Sequence, residues 1–358
     1  MATFVLPMKT SKNFKWKMSV DYKHCFLCGV LLRDMNRSDE HIIPKWLQNK
    51  YNLWNNEIQF PNKSFKKYFS MFVPCCTECN GLLDINLERK IKKASSKGYK
   101  EMINLDREII YLWLLKIFYT FHFKDLSYYK DPKKKNKHRI RSKKDFKSFA
   151  LLHNFLQATR CETIYRFYNP YSLYIVKTHK YTDFRAFDFT DSTFGWIMAL
   201  RMEDFGLICV FGEEGLHEEQ TFDFMEKYVN RKTLHPVQFD ELYAKALYLS
   251  LLFNKDPIAM IKNPSEEDRT MNIDCMRLSM SGKSPFDNWD NLASAKILHS
   301  VINQKYWKIP FDFFYRDGAV RTFFEDDNGR LLKLKPDDFY KSYLVGRIIL
   351  ILNKKINL

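Results

Sequence analysis

The longest continuous apolar stretch of the chain lies within residues 105–123. Apolar side chains fill most of its positions and would cover nearly every face of a helix, which is typical of a helix buried inside a domain. Asn104 and Asp106 flank its start, and both residue types favour the position that caps a helix N-terminus. The pattern predicts a buried helix over residues 105–123.

Beyond Phe146 the chain alternates between helix-like and strand-like patterns. The predicted helices span residues 149–158, 222–230, 236–253 and 292–302. The predicted strands span residues 163–168, 172–178, 193–201, 207–211, 273–279 and 311–324. This part is predicted to have an α+β fold, and it contains no catalytic motif that we recognise.

The stretch between these two patterns, residues 131–147, carries the densest positive charge in the chain and has no apolar period. Such a run is typical of a loop. Because 358 residues are more than one core usually serves, we expect more than one domain. We predict a first domain at residues 1–100, a helix plus basic linker loop at 101–147, and a larger α+β domain for recognition or regulation at 148–358.

Composition excludes several classes of protein. Hydrophobic residues make up 46% of the chain, enough for large cores, and 11 glycines are too few for a propeller or a β-helix. No run of about 18 uncharged apolar residues occurs, so we expect no membrane-spanning helix. The first residues do not have the pattern of a signal peptide. We therefore expect a cytoplasmic, reducing location, where clustered cysteines bind metal more often than they form disulfides.

Positive charge is concentrated in the first part of the chain. The formal net charge is +16, yet residues 1–147 contain 31 Lys and Arg against 14 Asp and Glu, and residues 148–358 contain 27 against 28. A generally lysine-rich composition would make both parts equally basic. The asymmetry predicts a polyanionic partner for the first part, because Lys and Arg contacts release the counterions condensed on such a chain.

Two Cys-x-x-Cys pairs lie inside this basic part. Cys25 and Cys28 form the first pair, and Cys76 and Cys79 form the second. Four thiolates from two such pairs make a closed tetrahedral site, which is typical of structural Zn²⁺. Cys75 could replace Cys76, but its three-residue gap to Cys79 fits less well. The zinc would contribute folding free energy and no chemistry.

An acid–histidine pair stands between the two cysteine pairs. It is Glu40-His41, followed by Ile42-Ile43-Pro44, where we expect a strand that ends at the proline. After Cys79 the pattern predicts a helix, in which Asn80, Asp84 and Glu88 recur every four residues and share one face. A helix beginning at Asn80 would point side-chain oxygens at a metal held against the Glu40-His41 strand.

This pattern of motifs resembles that of the HNH endonucleases. It consists of the two cysteine pairs, the Glu-His-Ile-Ile-Pro motif and the Asn that follows the last cysteine. Their ββα-metal fold also occurs in colicin DNases and in a cleavage domain of RNA-guided nucleases. The resemblance covers roughly residues 20–92 and implies an N-terminal ββα-metal domain stapled by zinc. It implies that His41 is the general base and that Glu40 and Asn80 bind the catalytic Mg²⁺ or Mn²⁺.

The chain departs from this family pattern at one position. The family has a middle Asn in the strand before the second cysteine pair, where residues 68–72 contain none. That Asn mainly fixes the backbone around the histidine. Ser70 and Asn62 are the candidates to replace it.

The implied mechanism is one-metal hydrolysis, with His41, Glu40 and Asn80 as the catalytic residues. Helical spacing suggests Asp84 as a third metal ligand. The alternative is that Asp84 is an exposed helix residue that binds no metal. Glu88 is expected to support the site or to pair with a neighbouring Arg or Lys. The predicted nucleic-acid contacts are the basic loop residues Lys133, Lys134, Lys135, Lys137, Arg139 and Arg141.

The resemblance and the charge predict a metal-dependent endonuclease that hydrolyses DNA, most simply double-stranded DNA. A nuclease with a large extra domain is also expected to serve prokaryotic restriction or anti-phage defence, with a regulatory partner protein on that domain. Two alternatives stay open: a zinc-stabilised nucleic-acid-binding protein without catalysis, and an HNH nuclease that acts on RNA.

Overall fold

A computed structural model gives the fold of the chain. It describes residues 4–336 apart from 7, 13, 134–137, 231, 257, 278–283, 306–308 and 327. The described residues form both helices and sheets, which confirms the predicted α+β class.

The elements are numbered along the chain. The strands are β1 (Phe4–Leu6), β2 (Arg37–His41), β3 (Glu57–Gln59), β4 (Phe65–Lys67), β5 (Phe72–Cys76), β6 (Glu162–Phe167), β7 (Tyr171–Thr178), β8 (Phe187–Ser192), β9 (Ile197–Met202), β10 (Phe205–Phe211), β11 (Thr233–Leu234), β12 (Ala259–Lys262), β13 (Thr270–Cys275), β14 (Tyr315–Arg316) and β15 (Ala319–Val320).

The α-helices are α1 (Lys45–Lys50), α2 (Thr77–Leu83), α3 (Arg89–Lys97), α4 (Tyr99–Met102), α5 (Arg107–Lys124), α6 (Lys143–Phe146), α7 (Ala150–Leu156), α8 (Leu216–Gln220), α9 (Phe222–Phe224), α10 (Pro236–Leu252) and α11 (Asn291–Lys305). The 3-10 turns are Tyr68–Ser70, Lys147–Phe149, Gln157–Thr159, Phe184–Ala186 and Phe311–Phe313, and the π-helical turns are Asp84–Glu88 and Met225–Val229. In the described ranges no helix is long and apolar enough to cross a membrane.

Contacts divide the chain into two compact units. The first contains Met1–Tyr171 and Pro257–Arg277, and the second contains Ser172–Asp256 and Leu278–Leu358. Residues 101–147 lie inside the first unit, which also takes in β12 and β13 from much later in the chain. The predicted three domains divide the sequence in another way, and they stay a prediction.

The first unit is built around α5, which occupies the predicted buried helix. Every residue from Glu108 to Lys124 in this helix is buried, so apolar side chains on all faces have partners. A four-stranded sheet in the order β1-β6-β13-β12 belongs to the same unit, with β13 parallel to β6 and the other pairs antiparallel.

The residues around the cysteine pairs form a smaller arrangement within the first unit. Strands β2 and β5 pair antiparallel, and α2 follows β5 directly. The predicted strand through Ile42 and Ile43 is instead a bend of two fully buried residues after β2, and Pro44 leads into α1. Helix α2, the π-helical turn and α3 are continuous from Thr77 to Lys97.

The second unit contains a five-stranded sheet in the order β11-β7-β10-β9-β8. Helices α10 and α11 pack on one of its faces through side chains such as Val237, Leu242 and Leu298, against Val176 and Ile208 of the sheet. The long strand predicted at 311–324 is instead a 3-10 turn followed by the short β14–β15 hairpin.

Candidate active site

Four cysteines converge in the first unit where the two Cys-x-x-Cys pairs meet. The Sγ atoms of Cys25, Cys28, Cys76 and Cys79 all lie within 4.8 Å of one another, and those of Cys28 and Cys76 are 3.8 Å apart. Zn–S bonds of about 2.3 Å in a tetrahedron place sulfur atoms about 3.8 Å apart. All four thiols are free of disulfides. The group could therefore hold a metal such as zinc, as predicted.

Backbone N–H groups shape both cysteine pairs. The N–H of Cys79 points at Sγ of Cys76, 3.4 Å away, where Cys76 caps the N-terminus of α2. The N–H of Gly29 donates to the carbonyl of Cys25 at 2.9 Å and closes the first turn. Cys75, the alternative ligand, is buried with its Sγ 3.9 Å from that of Cys25 and lies outside the group of four.

His41 is the last residue of β2 and borders a pocket of about 430 Å³. Its ring stacks on Trp54 with ring centroids 6.1 Å apart, and the backbone carbonyl of Phe69 accepts a hydrogen bond from it. Burial, together with the positive charges of Lys45 and Lys116, lowers the pKa of His41 to about 4. The imidazole is therefore neutral near pH 7 and able to accept a proton.

The pocket brings together the predicted residues of the strand and of the helix. It is lined by Asp39, Glu40, His41, Pro44, Lys45, Trp46, Asn80, Asp84, Glu88, Arg89 and Lys92. A neutral imidazole, several side-chain oxygens and three cationic side chains thus share one cavity. Cationic groups in such a position attract phosphate, and oxygen ligands attract a hard divalent cation.

The two helix residues each keep an oxygen available. The Nδ2 group of Asn80 donates to Oγ of Ser38 at 2.6 Å and to the carbonyl of Asp39 at 3.3 Å. The Oδ1 atom of Asn80 has no hydrogen bond to any described residue. Asp84 receives both contacts from Arg89 on a single oxygen, Oδ2, at 2.8 and 2.6 Å. Both side chains can therefore offer an oxygen to a cation without losing the contacts that orient them.

Glu40 is buried and is already paired. Its Oε1 accepts from Nζ of Lys116 at 2.6 Å, and the same Nζ lies 2.9 Å from Oε1 of Glu88. Burial alone would lower the pKa of Lys116, but the charges of Glu40 and Glu88 outweigh it and raise the pKa. The lysine is therefore charged, and Oε2 of Glu40 has no hydrogen bond to any described residue.

Glu88 is held more firmly than Glu40. Its Oε2 accepts from the indole N–H of Trp46 at 2.8 Å, and its Oε1 accepts from that of Trp113 at 3.2 Å as well as from Lys116. Two alternatives were predicted for Glu88, and Arg89 pairs with Asp84 instead of with Glu88. Glu88 lines the pocket and binds Lys116, so support of the candidate site is the alternative that remains.

The two residues predicted to help orient His41 do not reach it. Ser70 donates to the carbonyl of Lys67 at 2.7 Å, and Asn62 donates to the carbonyl of Tyr129 at 2.7 Å. In the part of the chain that the structure describes, neither forms a hydrogen bond with His41. The ring is oriented instead by the carbonyl of Phe69 and the indole of Trp54.

The predicted basic loop is partly folded, and its described residues do not line the pocket. Arg139 stacks on Tyr129 with its guanidinium 4.0 Å from the ring centroid, and Arg141 lies 5.0 Å from the ring of Phe149. Lys133 is exposed. The predicted contacts Lys134, Lys135 and Lys137 lie outside the described residues. Contact of this loop with nucleic acid stays a prediction.

Sequence reasoning missed Lys116 and Trp54. A signal for Lys116 was present, because it is the one lysine in the middle of the otherwise apolar helix α5, and such a charge is rarely buried without a partner. Trp54 carried no comparable signal, since it comes from an irregular stretch whose position depends on tertiary contacts.

The chain was compared with protein-family models, with curated proteins and with solved structures, and none of them matches it.

Proposed function

We propose that the chain is a metal-dependent endonuclease of the HNH type that hydrolyses phosphodiester bonds in DNA. The observation that carries this proposal is the single pocket in which neutral His41 meets Glu40, Asn80 and Asp84 beside the four-cysteine group. Glu40 and His41 come from β2, Asn80 from α2, and Asp84 from the π-helical turn that continues α2. Strand β2 pairs with β5, and α2 follows β5 directly.

His41 would act as the general base. Its neutral ring takes a proton from a water molecule as that water attacks the phosphorus atom. With one ring N–H donated to the Phe69 carbonyl, the other ring nitrogen would take the proton. Lys45, Arg89 and Lys92 line the same pocket and would attract the phosphate through charge-assisted contacts.

We assign a hard divalent cation to this pocket because of the chemistry of its oxygen donors. Glu40 Oε2, Asn80 Oδ1 and Asp84 Oδ1 would hold Mg²⁺ or Mn²⁺, which when bound offsets negative charge developing on the phosphate and on the leaving oxygen. Burial disfavours the ionised form of Glu40 and raises its pKa, and a cation bound beside it would offset that cost.

The first test is to replace the general base. We expect His41→Ala to cut supercoiled plasmid in Mg²⁺ or Mn²⁺ at least about 100-fold more slowly than the native protein, because general-base catalysis contributes roughly that much or more. Zinc content should be unchanged, since His41 does not belong to the four-cysteine group. His179→Ala, in the second unit, is the matched control and should cut normally.

Parallel assays on RNA and on single-stranded DNA separate the alternatives. A native protein that shifts plasmid without cutting it would support a zinc-stabilised binding protein, and cutting of RNA alone would support an RNA nuclease. Full plasmid cleavage by His41→Ala would contradict the proposed mechanism. A role in restriction or anti-phage defence, like the function of the second unit, stays a prediction.

A further inference from the structure

A buried lysine ties together the elements that build the candidate site. Lys116 comes from α5 and is fully buried. Its ammonium contacts Glu40 on β2 and Glu88 at the end of the π-helical turn, and it reaches the carbonyls of His41 and Ile42 at 3.2 and 3.4 Å. Four oxygen atoms therefore surround one ammonium group.

Glu88 and Glu40 differ in how many of their carboxylate oxygens have partners, and this difference orients Glu40. Glu88 has both oxygens occupied, by Lys116 and by the indoles of Trp46 and Trp113. Glu88 therefore fixes the position of Lys116, and Lys116 in turn contacts only Oε1 of Glu40. The second oxygen of Glu40 is left for the pocket that Glu40 lines.

We propose that Lys116, anchored by Glu88, is the positioning residue that presents Oε2 of Glu40 to the catalytic divalent cation. This inference rests on the proposed function, because it assumes that Glu40 binds that cation. Lys116 does not line the pocket and therefore contacts neither substrate nor water there. It acts through Glu40, in the way that groups behind a metal ligand generally fix that ligand's orientation.

A rival role for the same lysine is to replace the cation, with its ammonium neutralising Glu40 so that no divalent ion binds. The two roles predict opposite effects of removing the charge. A substitute cation, once removed, would leave a stronger metal site. A positioning residue, once removed, would leave the carboxylates of Glu40 and Glu88 facing each other, and their repulsion would displace Glu40 from its place beside the pocket.

The test measures Mn²⁺ binding by the full-length, zinc-loaded protein without nucleic acid, by titration calorimetry or by the electron paramagnetic resonance of free Mn²⁺. We expect Lys116→Met to weaken Mn²⁺ binding by about 10- to 100-fold, the usual effect of losing a group behind a metal ligand. Zinc content should stay at the native level. Equal or tighter binding of Mn²⁺ by Lys116→Met would overturn the proposal.

The matched control is Lys124→Met. Lys124 is a buried lysine on the same helix, and its Nζ donates to the carbonyl of Phe72 at 2.9 Å with no carboxylate in salt-bridge range among the described residues. Mn²⁺ binding should be unchanged in this variant. A weakening equal to that of Lys116→Met would show that any buried lysine of α5 matters in the same way, and would contradict a specific role for Lys116.

A second variant covers the case in which Lys116→Met does not fold. Adding Glu88→Gln removes the repulsion, and the new amide can donate to Glu40. We expect this double variant to keep its zinc and to bind Mn²⁺ within about tenfold of native. A folded double variant that binds Mn²⁺ no better than Glu40→Gln would overturn the proposal. Failure of the native protein to bind Mn²⁺ at all would instead contradict the proposed function.

Discussion

Two histidines show how partners decide what a residue can do. His41 has a carbonyl on one side and an indole against its ring, and it borders an open pocket. His217, on α8 of the second unit, is fully buried against Phe286, and neither ring nitrogen has a hydrogen-bond partner among the described residues. The first arrangement suits proton transfer, whereas the second buries two ring nitrogens without partners, which is unfavourable for folding.

We therefore expect His217→Phe to stabilise the protein. An unpaired buried polar group costs about 1–3 kcal/mol, and phenylalanine has a similar shape without the nitrogens. Burial lowers the pKa of His217 to about 3. Between about pH 6.5 and pH 3 the unfolded chain binds a proton that the folded one does not, so the advantage of phenylalanine should grow by up to about 1.4 kcal/mol per pH unit on acidification.

The measurement is denaturant unfolding of both proteins at pH 7, 6 and 5. The quantity to compare is the difference in free energy of unfolding between the two proteins at each pH. Glu213 is present in both proteins and changes their stability with pH in the opposite direction, so its contribution cancels in that difference. Burial raises the pKa of Glu213 to about 8, so between about pH 8 and 4.5 acid favours the folded state through this group. Equal stability of the two proteins at every pH would contradict the prediction.

At the scale of elements, the cysteine group depends on one tight turn and one helix. Gly29 closes the first cysteine pair with φ +73°, and a Cβ there would lie 2.0 Å from the carbonyl oxygen of Lys17. Gly81 lies in α2, and a Cβ there would meet nothing within 4 Å. Two glycines of the same small arrangement are thus present for different reasons.

The same substitution should have opposite effects at these two positions. We expect Gly29→Ala to lower the free energy of unfolding by about 1–3 kcal/mol or more and to speed loss of zinc to a chelator, because of its strained backbone and the clash. Gly81→Ala should raise the free energy of unfolding by roughly 0.5–1 kcal/mol, because alanine favours helix. Thermal unfolding and a zinc-release assay check both, and a destabilised Gly81→Ala would contradict this account of α2.

At the scale of the whole molecule, the excess positive charge and the candidate pocket lie in the same part of the chain. The excess positive charge lies in residues 1–147, and the candidate pocket of the first unit is lined by Lys45, Arg89 and Lys92. A polyanion attracted by that field would meet the cavity that holds His41. This coincidence supports a nucleic-acid substrate without deciding its sequence.

Affinity for DNA should therefore depend on salt through pocket lysines. In a His41→Ala background, which prevents cutting, Lys45→Gln with Lys92→Gln should reduce the slope of log affinity against log salt by about 2, roughly 0.9 for each phosphate that the protein no longer neutralises. Lys177→Gln with Lys296→Gln, two exposed lysines of the second unit, is the matched control. Fluorescence anisotropy on a short duplex measures both, and an unchanged slope for the pocket pair would contradict the prediction.

Much of the local structure was predictable from the sequence. The buried helix over 105–123 appears as α5, and the predicted strands at 163–168 and 172–178 appear as β6 and β7, because hydrophobic period and β-branched content are local properties. The prediction failed at 311–324, where aromatic residues suggested a strand and packing produced a 3-10 turn and a short hairpin. Short apolar runs do not by themselves distinguish these outcomes.

The sequence by itself determined the four-cysteine group and the acid–histidine pair, because their chemistry follows from residue type and from short spacings along the chain. Only the tertiary structure decided which charges face Glu40 and what orients His41. Lys116 lies 76 positions from Glu40, and the groups beside His41 are the backbone carbonyl of Phe69 and the indole of Trp54. Such contacts depend on how distant elements pack, and no local pattern in the sequence specifies that packing.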